Sequence, residues 1–224
     1  MRKNRWLILV AMMLTALMFL QGCEVKQENP NLKTYQEYVQ SLLNVNYLGD
    51  ATLYEQISGS NNGEEVYNEC ISNIADVMVS RFAINKDMMT NETADRLYNV
   101  AKELCGKASY AVDEAELNEE IYTVKVNVKP FNYFETAQEA FDNYIDDFNN
   151  RAAQGEFLDM SEGEYETTYA EGVVDILQKA LGDSQYLNTS SYIVTIKINE
   201  NGESYVSDDE LAKIGEMMFP KYQK

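Results

Sequence analysis

The hydrophobic period of this chain changes from 3.6 residues to 2 near residue 120, and this change restricts the fold more than any other feature. In the segment IYTVKVNVKP, residues 121–130, apolar side chains alternate with polar ones. Such alternation predicts a half-buried strand with one face in water, and Pro130 ends it because proline has no N–H to donate. Residues 110–117 alternate less well and are predicted to pair with this strand across a turn near Asn118-Glu119.

Helical patterns precede this strand. Apolar residues recur at intervals of three and four over residues 66–82 and 94–105, which predicts two helices. Because their link is short, the two are expected to form an antiparallel hairpin, with Gly106 as the C-terminal stop of the second. Shorter helices are predicted from Thr34 to Leu43 and over residues 50–57.

The same order then recurs in the second half of the chain. A helix is predicted over residues 137–152, and a second begins at a Ser161–Glu164 capping box and ends at Gly182. A further alternating strand covers residues 192–198. After it, Asn201-Gly202 predicts a two-residue type I′ turn in which Ile198 faces Tyr205.

A last helix, capped by Ser207 and Glu210, completes the predicted elements. Their order predicts an α+β fold in which an antiparallel sheet of two hairpins packs against helices. Two descriptions stay open: a single domain over residues 34–224, or two halves, 34–131 and 132–224, that form a degenerate αα-ββ repeat.

The N-terminal residues have the pattern of an export signal. Three basic residues among the first five precede an apolar stretch from Trp6 to Leu20, which is shorter than the roughly 20 residues that a membrane span needs. The motif Leu20-Gln21-Gly22-Cys23 follows and resembles the lipobox of bacterial lipoproteins. The alternative is an uncleaved helix with an incidental cysteine.

The lipobox resemblance implies a covalent lipid anchor. It implies that Cys23 receives a diacylglyceryl group, that a peptidase removes the signal, residues 1–22, and that Cys23 becomes the first residue. Two acyl chains anchor a protein stably, whereas one binds only marginally. Residues 23–33 are then the lipidated cysteine and a polar tether, and the expected location is the extracytoplasmic face of the bacterial cell membrane.

The charge and composition exclude several classes of function. Removing Arg2, Lys3 and Arg5 with the signal lowers the formal net charge from −19 to −22, which argues against nucleic acid and against anionic lipid headgroups as partners. The chain has no histidine, so a Ser-His-Asp triad, a Cys-His pair and a histidine-ligated metal are excluded.

Two other patterns are candidate sites. The spacing of an EF-hand loop occurs in five residues: Ser58, Ser60, Asn62, Gly63 and Glu69. A calcium loop needs aspartate first and more carboxylates, so a polar turn that caps the next helix is predicted. The acidic pairs Asp146-Asp147 and Asp208-Asp209 are interpreted as solvated, and no catalytic residue, cofactor or metal ligand is predicted.

Cys70 and Cys105 are predicted to approach each other. When two residues lie level with each other in an antiparallel hairpin, the sum of their residue numbers is nearly constant along the hairpin. The sum for Cys70 and Cys105 agrees with the sum for the link ends near Phe82 and Asn91. Export permits a disulfide, but packed helix axes lie about 8–10 Å apart. A disulfide and a pair of buried thiols therefore both stay open.

The layout of the rest of the chain resembles an uncharacterised domain-of-unknown-function family of lipoproteins from clostridia and related Firmicutes. The similar features are the helix ending at Cys105-Gly106, the strand YTVKVNVKP and the segment YVSDDEL. The resemblance implies a membrane-anchored binding or scaffolding module whose partners are the membrane, through the lipid on Cys23, and an unidentified envelope protein or ligand. An envelope hydrolase using carboxylates or tyrosine is the alternative, and a transporter's solute receptor is a third.

Overall fold

A computed structural model describes residues 30–119 and 121–220 of the 224-residue chain, so Cys23 and the predicted signal lie outside the described residues. The helices are α1 (Pro30–Leu43), α2 (Thr52–Ser58), α3 (Gly63–Arg81), α4 (Asn91–Cys105), α5 (Tyr133–Ala153), α6 (Glu162–Asp183) and α7 (Asp208–Met218). The strands are β1 (Tyr110–Asn118), β2 (Ile121–Val128), β3 (Ser190–Ile198) and β4 (Ser204–Tyr205). No helix of this described part is long and apolar enough to cross a membrane.

The four strands form one antiparallel sheet in the order β1-β2-β3-β4, so the predicted α+β class is confirmed. The alternation of β2 has the predicted facing, because Val124, Val126 and Val128 are fully buried while Lys125 is exposed. Helices α1 and α7 pack on this sheet. Lys125 pairs with the exposed Ile193 across β2 and β3 on the opposite face.

The remaining helices pack side by side. Helix α3 contacts α4, α4 contacts α6, and α6 contacts α5. One continuous apolar core joins residues on both sides of position 131, from Tyr35 on α1 to Phe219 just after α7. Both predicted halves therefore contribute to the same sheet and the same core.

The predicted register of the β3–β4 hairpin is wrong. Ile198 pairs with Ser204 and Lys197 pairs with Tyr205, so Ile198 does not face Tyr205. The turn contains three residues, with Gly202 in the left-handed region at a φ of 81°. This arrangement is the three-residue hairpin in which a glycine follows a type I turn.

The side chain of Asn199 explains this longer turn. Its Oδ1 atom accepts hydrogen bonds from the backbone N–H of Asn201 at 2.9 Å and of Glu203 at 3.0 Å. Its Nδ2 atom donates to Glu203 at 2.7 Å. An asparagine that binds the backbone two residues ahead stabilises this turn and not a type I′ turn.

Some predicted helix ends also differ from the structure. Helix α1 begins at Pro30 and not at Thr34, because proline is compatible with the first turn of a helix. Gly182 does not stop α6, which continues to Asp183, and Ser184 caps it through its backbone N–H. The Ser161–Glu164 capping box is confirmed, whereas the hydroxyl of Ser207 makes no cap bond and accepts from Lys197 at 3.2 Å.

Candidate functional site

Cys70 and Cys105 lie on neighbouring helices that pack against each other. Cys105 is the last residue of α4 and is fully buried, and Cys70 lies half-buried on α3. Both are free thiols. Hydrogen bonding to Cys70, together with burial, raises the pKa of the Cys105 thiol well above its ordinary value.

Tyr67 lies one helical turn before Cys70 and contacts the same region. Burial raises the pKa of Tyr67, and Cys105 and Cys70 add to this effect. The ring of Tyr67 packs closely against Gly49, since a Cβ atom there would lie 2.9 Å from Cε1 of Tyr67. Gly49 also has a φ of 68°, which glycine adopts without strain.

Tyr67 forms one wall of an open depression of about 470 Å³ between α3, α4 and α6. We call it the α4–α6 depression, and its lining residues are Tyr67, Arg96, Asn99, Lys102, Glu103 and Gln178. Arg96 forms an ion pair with Asp175, and Gln178 donates to Glu103 at 3.3 Å, so polar contacts hold α4 against α6. The arrangement offers cationic, amide and phenol groups to a polar partner.

This depression is not predicted by the sequence patterns. Arg96, Asn99 and Lys102 recur at intervals of three on the polar side of α4, which is the one signal in the sequence. The same spacing is typical of any solvated helix face, and the packing of α6 beside it cannot be read from local sequence.

Helix α1 separates the two ends of the molecule. At its start, Asn31 donates to the hydroxyl of Tyr122 at 3.4 Å, next to the β1–β2 turn. Just after its end, Asn44 accepts from the hydroxyl of Tyr110 at 2.9 Å, at the far end of the sheet. Since 14 helical residues rise about 21 Å, the start of α1 and the Gly49–Tyr67 contact lie at opposite ends.

The residues with EF-hand spacing form hydrogen bonds among themselves. Ser58 and Ser60 share a hydrogen bond of 2.7 Å, and Ser60 donates to Asn62 at 2.6 Å. Glu55 accepts from the backbone N–H of Gly63 at 3.1 Å, which satisfies a donor at the start of α3. Residues 30–119 and 121–220 contain no group of three or more cysteine, aspartate or glutamate side chains placed to hold a metal ion.

The predicted acidic pairs lie on helix surfaces. Asp147 forms an ion pair with Arg151 one turn later on α5, at 3.9 Å, while Asp208 and Asp209 are exposed in the first turn of α7.

Three carboxyl groups elsewhere have a pKa below the ordinary value. Asn127 and Lys125 lower the pKa of Asp113, Arg151 lowers that of Glu156, and the Ser161 backbone and hydroxyl lower that of Glu164. A general acid at neutral pH needs the opposite shift. The lowered pKa values therefore do not suit Asp113, Glu156 or Glu164 to the role of a general acid.

The chain matches no family model and no curated protein. Among solved structures, its fold is similar to that of YcdA from Bacillus subtilis strain 168, which is described as a candidate lipoprotein. The TM-score is 0.58 at 16% sequence identity, and the match covers 88% of this chain and 61% of YcdA. At this identity the likeness extends to the fold alone, and the resemblance to the clostridial family stays a prediction.

Proposed function

We propose that this chain is a lipid-anchored protein on the extracytoplasmic face of a bacterial membrane, and that its folded part binds a polar segment of an envelope protein in the α4–α6 depression. The lipobox at Leu20 to Cys23 supports the anchor, and the similarity in fold to YcdA agrees with it. The observation that carries the proposal is the position of the depression at the end of the molecule opposite the start of α1.

The tether sets the orientation in this proposal. Pro30 follows Cys23 by seven residues, and an extended chain of that length reaches about 25 Å. The end of the sheet with the β1–β2 and β3–β4 turns then lies nearest the bilayer. The Gly49–Tyr67 contact and the depression beside it lie farther from the membrane, where a partner can reach them.

The lining of the depression determines what fits it. Lys102 places a cationic group there, while Arg96 is paired with Asp175 and Glu103 adds a carboxylate that accepts from Gln178. Asn99 and Gln178 each add an amide that donates and accepts hydrogen bonds. A segment with carboxylate and carbonyl oxygens fits this set, whereas the net charge of the whole chain repels a long polyanion.

The anchor is tested by incorporation of radiolabelled palmitate together with membrane fractionation. The wild-type protein is expected to be labelled and to sediment with membranes, and Cys23→Ser is expected to lose both properties. Equal labelling and retention of the two proteins would contradict the lipid anchor.

The binding surface is tested by capturing partners from detergent-solubilised envelope with the tagged, lipidated protein. Lys102→Glu reverses a charge in the depression, and Lys33→Glu makes the same change at the start of α1, where the Lys33 side chain is 80% exposed. The expected result is a protein captured by the wild type and by Lys33→Glu but lost with Lys102→Glu. Identical capture by both variants would contradict the proposed surface.

A further inference from the structure

The helix pair α3–α4 is covalently continuous at one end only. The link between Phe82 and Thr90 closes that end, while Cys70 on α3 and Cys105 on α4 both lie toward the other end of the packed pair. Cys105 is 0% exposed, so solvent and other proteins reach the pair through the half-buried Cys70. The two thiols are therefore unequal in access.

We infer that Cys70 and Cys105 are a disulfide-forming pair, which a disulfide donor converts into a cross-link between α3 and α4. In the cell, formation of this disulfide depends on an extracytoplasmic location, since disulfides persist in oxidising compartments. That location rests on the proposed function. The donor is a protein or small molecule that carries a reducible disulfide.

The exchange proceeds in two balanced steps. The Cys70 thiolate attacks one sulfur of the donor disulfide, forms a mixed disulfide and releases the first donor thiolate. The Cys105 thiolate then attacks the sulfur of Cys70 and releases the second donor thiolate. The two cysteines lose two electrons and two protons in total, and the donor is reduced to two thiols.

The local structure favours this order. Cys70 is the more accessible of the two thiols, so it meets the donor first. Cys105 is the last residue of α4, followed by Gly106 and Lys107, so the backbone can adjust to the Cα separation of about 4.4–6.8 Å that a disulfide requires.

The cross-link also reaches the proposed binding surface. Tyr67 lies one helical turn before Cys70 on α3 and forms a wall of the α4–α6 depression. Joining Cys70 to Cys105 fixes the ends of α3 and α4 that hold this ring. The disulfide is then a structural support for the surface that the proposed partner contacts.

The test uses the full-length protein, purified reduced in detergent, treated with oxidised glutathione and alkylated without reduction before peptide mass spectrometry. The expected product is a peptide pair joined through Cys70 and Cys105. With Cys105→Ser, Cys70 is expected to retain one glutathione, and with Cys70→Ser, Cys105 is expected to stay unmodified in the folded protein. Circular dichroism checks that both variants fold.

Recovery of two alkylated thiols after the glutathione treatment, with no linked peptide, would overturn the inference. The same mass measurement on protein isolated directly from the bacterial envelope is expected to show the linked peptide. A link that forms with glutathione but is missing from envelope protein would support the pair and contradict the proposed location, so the two failures are distinguishable.

Discussion

The helix pairs α3–α4 and α5–α6 are held together at different ends and by different contacts. In α5–α6, five aromatic rings cluster near the link between the helices, with Phe148 at the centre. The other four rings are Tyr144, Phe157, Tyr165 and Tyr169. In α3–α4, two thiols lie toward the end remote from the link. The α5–α6 pair is thus stabilised by aromatic packing and by the hydrogen bond from the Tyr144 hydroxyl to the Tyr169 carbonyl, whereas the α3–α4 pair contains two thiols that oxidation can change.

The largest expected effect is in the aromatic cluster. Phe148 is 2% exposed, so Phe148→Ala is expected to lower the free energy of unfolding by about 3–5 kcal/mol, through lost burial and the remaining cavity. Leu158→Ala in the same link is the control, because Leu158 is 83% exposed. Urea denaturation measures both variants, and equal midpoints would mean that the cluster does not stabilise α5–α6.

The cross-link in the other pair is expected to be next in size. Formation of the disulfide is expected to raise the free energy of unfolding by about 2–4 kcal/mol, since it closes a loop of some 35 residues in the unfolded chain. Thermal unfolding of the oxidised protein with and without a reductant measures the difference. A reductant that also shifts the melting temperature of Cys70→Ser by the same amount would show that the effect is not due to the cross-link.

Close packing of α5 on α6 requires a glycine. A Cβ atom at Gly172 would lie 2.3 Å from the hydroxyl of Tyr144, while nothing lies within 4 Å of the corresponding position at Gly163 on the same helix. Gly172→Ala is therefore expected to cost about 1–3 kcal/mol, and Gly163→Ala is expected to be neutral or stabilising. Chemical denaturation compares them, and the reverse order would contradict the described packing.

The smallest effects concern the N-terminal caps of α4 and α6. Thr90 and Ser161 each accept a backbone hydrogen bond, so replacing either with alanine is expected to cost about 1 kcal/mol at neutral pH. Ser207→Ala is the control, since the Ser207 hydroxyl makes no cap bond.

The two caps should differ in pH dependence. Ser161 lowers the pKa of Glu164 below its ordinary value of 4.5, so the stability from this pair is present above that value and is lost as the pH falls through the lower, folded pKa. Thr90 has no such partner in its cap. The cost of Ser161→Ala should shrink on acidification while that of Thr90→Ala persists, and parallel curves would contradict this account.

The sequence predicted the elements for local reasons. The alternation of Val124, Val126 and Val128 indicates a strand, and the structure buries all three side chains. The approach of Cys70 to Cys105 stays a prediction. The register of β3–β4 was not predictable from Asn201-Gly202 alone, because the Asn199 side chain selects the turn.

The α4–α6 depression depends on packing between elements that are distant in sequence. Arg96 and its partner Asp175 are 79 positions apart in the sequence. The hydroxyl of Tyr186 donates to the carbonyl of Lys107 at 2.9 Å, and these two residues are also 79 positions apart. Periodicity shows which face of α4 is polar but not that α6 lies beside it. For that reason the residues of the depression were indistinguishable from an ordinary solvated helix face.

The central claim is that the lipid holds one end of the molecule at the membrane while the depression lies at the other end. Energy transfer to a fluorescent lipid tests it, with the lipidated protein in vesicles and a fluorescent amino acid at Glu200, in the β3–β4 turn, or at Glu103, in the depression. The account predicts stronger transfer from position 200 than from position 103, and loss of both signals with Cys23→Ser. Equal or stronger transfer from position 103 would contradict it.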